Sequence, residues 1–143
     1  MKFNKILAYL SVFYLSVWSM FIPNHIHAEV VHKLECKGID NKYWTPYMAK
    51  GYARALVEQY GWNRSEYKAL VKLWSTESHW RHNAFNHKPG NAEGEHAGGI
   101  PQILGLDPKT PAPLQIERGL AYIDHRYGKP SIAWAHHRSH NWY

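Results

Sequence analysis

Cysteine is almost absent from this sequence of 143 residues. The single cysteine, Cys36, excludes an intramolecular disulfide framework. Glycine and proline are also few, at 10 and 8 residues, which excludes a collagen-like or low-complexity chain. Because domains commonly run about 100–200 residues, we expect a single domain.

The sequence also lacks any clustered run of lysine and arginine. Its 17 basic and 11 acidic residues still leave a net charge of +6, which suits a polyanionic partner. Without a basic cluster or a known reading motif, no nucleic acid is expected as that partner. Aromatic residues are abundant at 15%, so the composition describes a small, basic, aromatic-rich globule.

One long stretch near the N-terminus has no charge. Lys2 and Lys5 precede the uncharged residues 6–22, and Ala28 follows as a small residue suited to cleavage. This order is typical of a secretory signal peptide, which we predict over residues 1–28. The apolar run is also near the lower limit of a membrane span, so an uncleaved anchor through residues 6–22 is the alternative. Either way, residues 29–143 are expected to be secreted or to lie in the periplasm or cell wall, outside the cytoplasm.

The remaining sequence predicts a mainly α fold. A first helix begins at Thr45-Pro46 and ends before Gly61, with Tyr47, Gly51, Ala55 and Leu56 on one side. A second helix begins with a capping box from Asn63 to Glu66. A third runs over residues 114–127, and a short last helix is capped by Ser131 and extends toward His137.

Residues 81–113 hold most of the turn-forming residues. They are predicted to form one long loop, a feature that in a compact domain is usually functional or disordered. No segment of the sequence alternates long enough to predict a sheet.

Glu77 stands out because it continues an apolar helical stripe. Tyr67, Leu70, Val71 and Trp74 recur at helical spacing, and Glu77 follows on the same side. Burial beside apolar residues and the negative end of a helix both raise the pKa of a carboxyl group. A carboxylic acid that keeps its proton near neutral pH can act as a general acid in glycoside cleavage. The alternative is a glutamate that turns to the surface or makes a partly buried polar contact.

Four segments, in order, resemble the motifs of lysozyme-like lytic transglycosylases (SLT-type), in particular their small secreted and phage-borne branch. Residues 73–80 (LWSTESHW) resemble the Glu-Ser motif, and residues 97–102 (AGGIPQ) resemble the second motif. Residues 118–123 resemble the third, which is centred on Tyr122, and residues 127–143 resemble the terminal pattern. The resemblance covers about residues 62–143. The sequence departs from the family at His79, where glycine is common, and at residues 88–95, which are longer and more charged than the usual turn.

The resemblance implies a lysozyme-like fold whose cleft binds the glycan strands of peptidoglycan. Glu77 would be the single general acid and base, first protonating the bond between N-acetylmuramic acid and N-acetylglucosamine. Its carboxylate would then take a proton from the muramoyl 6-hydroxyl, which closes a 1,6-anhydro ring. The implied substrate-binding residues are Ser78, Gly99, Ile100, Gln102, Tyr122 and Trp134. No cofactor or metal is implied, and a monomer is expected.

Several of these residues have a second interpretation. Gln102 would donate from its amide to a substrate acetamido group, or would lie on the surface without a role. Ile100 would also fit the core under the loop. Tyr122 would orient Glu77 by a hydrogen bond or pack as an aromatic core residue. Tryptophan residues suit either sugar stacking or core packing, and this applies to Trp80, Trp134 and Trp142.

Two other functions stay open at this stage. A hydrolytic lysozyme needs a second carboxylate, for which Glu93 and Glu95 in the loop are candidates. A catalytically inactive module that binds the cell wall or mediates adhesion could keep the same fold. His136 and His140 have the spacing of a zinc-binding pair, but a catalytic zinc usually has a third protein ligand, so no metal site is expected.

Overall fold

The computed structural model describes residues 44–143, which form four α-helices and a small three-stranded antiparallel sheet. The helices are α1 (Pro46–Gln59), α2 (Arg64–Glu77), α3 (Ala112–Tyr127) and α4 (Pro130–His140). The strands lie between α2 and α3: β1 (Phe85–Pro89), β2 (His96–Gly98) and β3 (Ile103–Leu104). The predicted leader over residues 1–28 lies outside the described residues. Within residues 44–143, no helix is long and apolar enough to cross a membrane.

The predicted ends of the first three helices are largely confirmed. Thr45 caps α1, since its Oγ1 accepts the Met48 N–H at 3.3 Å. Asn63 caps α2 by accepting two backbone N–H groups of the first turn through Oδ1. Gly61 and Gly128 follow α1 and α3 with φ of 70° and 73°. Local interactions near each end therefore determine where these helices begin and stop.

The side of α1 that carries Tyr47, Gly51 and Ala55 does not face the core. Tyr47 is 87% exposed, and the buried residues are instead Ala49, Ala53 and Val57. This side packs against α3, where the Tyr52 hydroxyl donates to Glu117 Oε1 at 2.8 Å. Small alanine side chains let the two helices approach, and the larger aromatic residue at the start of α1 stays outside.

The predicted cap of the last helix is wrong. Helix α4 begins at Pro130, so Ser131 lies inside its first turn rather than before it. The N–H and hydroxyl of Ser131 both donate to the carboxylate of Glu66, at 2.7 and 3.0 Å. Glu66 was predicted to complete the capping box of its own helix. Its carboxylate instead connects α2 to the start of α4 by these hydrogen bonds.

The long loop predicted over residues 81–113 contains the sheet, so that prediction is corrected. Strands β1 and β2 pair with Phe85 opposite Gly98, and β2 pairs with β3 through Ala97 opposite Leu104. Every residue of β1 is exposed, and β3 has only two residues. Strands that are exposed or very short leave no alternation of polar and apolar residues in the sequence.

The core lies between the four helices and includes the segment after β2. Its fully buried side chains include Trp74, Trp80, Ile100, Leu120 and Ala133. Helix α3 approaches closely at Gly119, where a Cβ atom would lie 2.6 Å from the Trp74 ring. This close packing holds the end of α2, and with it Glu77, at the edge of the core.

Candidate active site

Glu77 is the last residue of α2 and is mostly buried. It lies one turn after the buried Trp74, and its side chain is 17% exposed. Loss of hydration disfavours the charged carboxylate, and this burial raises the pKa of Glu77 to about 7. The group therefore holds a proton over much of the range below neutral pH and can release it near neutrality.

His137 of α4 is the side chain that contacts this carboxyl group. Its Nε2 lies 3.2 Å from Glu77 Oε1. Burial, and secondarily the neighbouring His136, lower the pKa of His137 below its usual value. Near neutral pH the imidazole is therefore mainly uncharged, so the contact is not a permanent ion pair.

Tyr143 is a second residue near Glu77. Its hydroxyl donates to the Pro101 carbonyl at 2.6 Å and accepts the Trp74 Nε1–H at 2.9 Å. Burial, followed by the nearby Glu77 charge, raises the pKa of Tyr143 well above its usual range, so the phenol stays neutral. The segment after α4 thus connects the end of α2 to the segment after β2.

Tyr122 does not make the hydrogen bond to Glu77 that the sequence suggested. Its hydroxyl donates to the Tyr143 carbonyl at 3.2 Å and accepts from Arg126 at 2.9 Å. Its ring meets that of Tyr143 edge-on. Tyr122 therefore supports the site through Tyr143, as part of an aromatic cluster.

Ser78 and Ile100 join the end of α2 to the segment after β2. The Ser78 hydroxyl donates to the Ile100 carbonyl at 2.6 Å and accepts the Trp80 N–H at 3.0 Å. Both residues are buried, and Ile100 is completely inaccessible in the core. These contacts are structural, and a contact of either residue with substrate stays a prediction.

Position 99 accommodates only glycine, because of its backbone conformation and its close neighbours. Its φ is 70°, and a Cβ atom there would lie 2.5 Å from Gln115 Oε1. The fully buried Gln115 accepts the Ile100 N–H at 2.8 Å through that oxygen. Its Nε2 donates at 2.8–3.2 Å to backbone carbonyls, which belong to His82, Pro108 and Thr110. One amide side chain of α3 therefore holds the segment after β2 in place.

The side chains of Gln102 and Trp134 both contact other residues of the protein. The Gln102 amide donates to the carbonyls of Gly99 at 2.9 Å and Ala84 at 3.3 Å, so the predicted donation to substrate would compete with these bonds. The Trp134 ring lies almost parallel to that of His137, with an interplanar angle of 16°. Trp80 packs in the core, whereas Trp142 is half-exposed under the Arg126 guanidinium.

The two loop acids do not join Glu77. Glu93 is exposed, and Glu95 accepts from the Asn91 amide at 2.8 Å while its N–H donates back to Asn91. These bonds close the turn between β1 and β2. Across residues 44–143 no group of three or more His, Cys, Asp or Glu residues could hold a metal ion.

Sequence reasoning missed His137, Tyr143 and Gln115 as parts of the site. His137 lies four residues after the buried Ala133, and Gln115 precedes the buried Ile116 and lies four residues before the buried Gly119. In both cases the available signal is a polar residue on the buried side of a helix. Tyr143 follows the last helix and has no periodic signal.

No family model matches the chain, and neither do curated proteins or solved structures. The chemistry of the site is therefore inferred from its residues and their geometry.

Proposed function

We propose that the chain is a peptidoglycan lytic transglycosylase with a lysozyme-like fold and with Glu77 as its single general acid and base. The observation that carries this proposal is the mostly buried Glu77 carboxyl group, whose pKa is raised to about 7 at the end of α2. A carboxyl group with this pKa can both give and take a proton near neutral pH.

The reaction assigns two proton transfers to Glu77. The neutral acid donates its proton to the glycosidic oxygen between N-acetylmuramic acid and N-acetylglucosamine, and the bond from the muramoyl C1 to that oxygen breaks. The resulting carboxylate takes the proton of the muramoyl 6-hydroxyl, whose oxygen bonds to C1. The products are a new hydroxyl on N-acetylglucosamine and a 1,6-anhydro ring, with no water consumed.

The backbone after α2 supports the resemblance on which the proposal draws. His79, at the position where the family commonly has glycine, has a φ of 55°. This left-handed conformation is the one that glycine adopts most readily. The departure in residue type thus leaves a glycine-like backbone at the turn that follows Glu77.

The surroundings of the two loop acids favour ring closure over hydrolysis. Hydrolysis of a glycosidic bond ordinarily uses a second carboxylate. Glu95 is engaged with Asn91 in the turn between β1 and β2, and Glu93 is exposed. Attack by the sugar's own hydroxyl needs only the one acid.

We propose further that the protein acts outside the cytoplasm, as a monomer, on glycan strands of the wall.

Product analysis tests the reaction. The purified protein and its Glu77→Gln variant are incubated with purified peptidoglycan, and the soluble products are identified by mass spectrometry. We expect products with anhydro ends, lighter by one water than hydrated ends, and a rate about 100- to 10,000-fold lower in the variant. Glu58→Gln, an exposed glutamate on α1, is the matched control and should keep the full rate.

Other products would contradict the proposal in distinct ways. Hydrated reducing ends would identify a lysozyme and direct attention to Glu93 and Glu95. If neither protein released products but both still bound the wall, the chain would be a binding or adhesion module.

A further inference from the structure

His137 faces Glu77 across the interface between α2 and α4. Its Nε2 lies 3.2 Å from Oε1 of the carboxyl group. Among the described residues no hydrogen bond engages the other oxygen, Oε2, and the Glu77 side chain stays 17% exposed. The two oxygens of this carboxyl group therefore have different surroundings.

We propose that His137 is a positioning residue, whose Nε2–H donates to Glu77 Oε1 and so keeps the transferable proton on Oε2. The value of this arrangement for catalysis rests on the proposed function, in which Glu77 first gives and then takes a proton. The hydrogen bond itself is independent of that function.

The position of the proton follows from hydrogen-bond geometry. In a neutral carboxyl group the carbonyl oxygen accepts a hydrogen bond more strongly than the hydroxyl oxygen does, so an N–H at Oε1 favours Oε1 as the carbonyl oxygen. The proton of the neutral acid is therefore directed to Oε2. After this proton has left, the same N–H stabilises the carboxylate as a charge-assisted hydrogen bond. A single donor thus serves both protonation states without changing its own orientation.

Several contacts fix the orientation of the imidazole ring. Trp134 lies nearly parallel to it, with ring centroids 5.6 Å apart. The start of α4 is fastened to α2 through the bonds between Glu66 and Ser131. The donor therefore approaches the carboxyl group from a rigid helix rather than from a loop.

The titratable groups around the pair come from three elements. His136 adjoins His137 on α4, and Tyr143 faces Glu77 from the segment after that helix. Tyr122 and Tyr127 of α3 act in turn on Tyr143, whose phenol stays neutral because burial raises its pKa.

Two substitutions at position 137 separate the effect of the hydrogen bond from the effect of the size of the ring. His137→Phe keeps a ring that can stack on Trp134 but removes the donor, whereas His137→Gln supplies an amide N–H near the position of Nε2. Carbon-13 NMR of the Glu77 carboxyl group measures its pKa in each protein. Loss of the donor should raise this pKa by about one pH unit in His137→Phe, and glutamine should return it toward the wild-type value. An unchanged or lower pKa in His137→Phe would overturn the proposal.

The wild-type protein offers a second measurement that needs no substitution. At a pH where Glu77 is protonated and His137 is neutral, nitrogen-15 NMR should find the imidazole proton on Nε2. A proton on Nδ1 would mean that Glu77 donates to the histidine, which reverses the proposed direction.

Kinetics connects the hydrogen bond to the reaction. We expect His137→Phe to lower kcat about 10- to 100-fold with little change in KM, and to move the alkaline fall in activity to higher pH. His137→Gln should restore most of kcat, and His125→Phe, an exposed residue on α3, should match the wild type.

If the wild type releases no products, the proposed function fails while NMR still decides the role of His137. If the wild type is active and His137→Phe equals it in kcat and pH profile, the positioning role fails alone.

Discussion

The turn after Glu77 holds two consecutive non-glycine residues in the left-handed region. His79 and Trp80 have φ of 55° and 63°. Trp80 is buried, its backbone N–H donates to the Ser78 hydroxyl and its indole packs against Trp74. These contacts offset the energetic cost of its left-handed backbone conformation. His79 is exposed, and among the described residues its side chain makes no hydrogen bond or ring contact that would offset its conformation. The strain at this position is therefore relieved most directly by removing Cβ.

Replacement of His79 by glycine should stabilise the protein. The left-handed conformation disfavours residues with a Cβ, while glycine has more freedom in the unfolded chain, so we expect a net gain of about 0.5–1 kcal/mol. Urea unfolding monitored by tryptophan fluorescence measures the change. His79→Ala is the control, because it removes the imidazole but keeps Cβ. An equal gain in both variants would show that the side chain, and not the backbone, is responsible.

The sequence predicted some residues of the site and missed others for a physical reason. Glu77 continues a stripe along one helix, so its burial could be inferred from spacing alone. Its contact with His137 joins residues 60 positions apart in different helices, and Tyr143 reaches Trp74 over 69 positions. Such pairs depend on how the helices pack, which no local pattern contains.

At the level of elements, the helices were predictable and the sheet was not. The ends of α1 and α2 depend on side chains within three residues, such as Asn63 bonding to the N–H of Glu66. The exposed β1 has no such signal, because its residues bury nothing. Helix α4 lies between these cases, since the carboxylate that binds its first turn comes from Glu66 on another helix.

Gln115 links α3 to the segments around the sheet, and its loss should be costly. Leucine has a similar volume but removes the hydrogen bonds of the amide to the Ile100 N–H and to the carbonyls of His82 and Pro108. Each buried polar group without a partner costs roughly 1–3 kcal/mol, so we expect Gln115→Leu to lower the free energy of unfolding by about 3–5 kcal/mol.

Chemical denaturation measures this loss, and Gln59→Leu at the exposed end of α1 is the matched control. That control should change stability by no more than about 0.5 kcal/mol. A loss at Gln115 no larger than this would show that the loops hold their shape without the amide.

For the whole molecule, the raised pKa of Glu77 makes stability depend on pH. Burial moves this pKa from 4.5, the ordinary value for a glutamate, to about 7 in the folded protein. Between these pH values the folded state binds more protons at Glu77 than the unfolded state does. The contribution of Glu77 to the free energy of unfolding therefore falls as pH rises through this range, by at most about 3 kcal/mol.

Glu77→Gln should accordingly be more stable than the wild type at alkaline pH. The amide resembles the neutral acid and cannot ionise, so we expect an advantage of about 2–3 kcal/mol above the folded pKa and close to none below the unfolded pKa. Thermal unfolding of both proteins across this pH range tests the expectation. Glu58→Gln on the exposed side of α1 should track the wild type throughout. An advantage that did not vary with pH would contradict the ionisation account.

The bonds of Gln115 also determine how the segment around Ile100 moves. The Ile100 amide proton is held by a side chain of α3 rather than by a strand partner. It can therefore exchange with deuterated solvent only when that segment separates from the helix, which disrupts the core around Leu120 and Trp74. In hydrogen-exchange experiments this amide should exchange at the rate of global unfolding, as core helices do. The segment beside Glu77 and the core would then form one cooperative unit, in which the site cannot open locally while the fold persists.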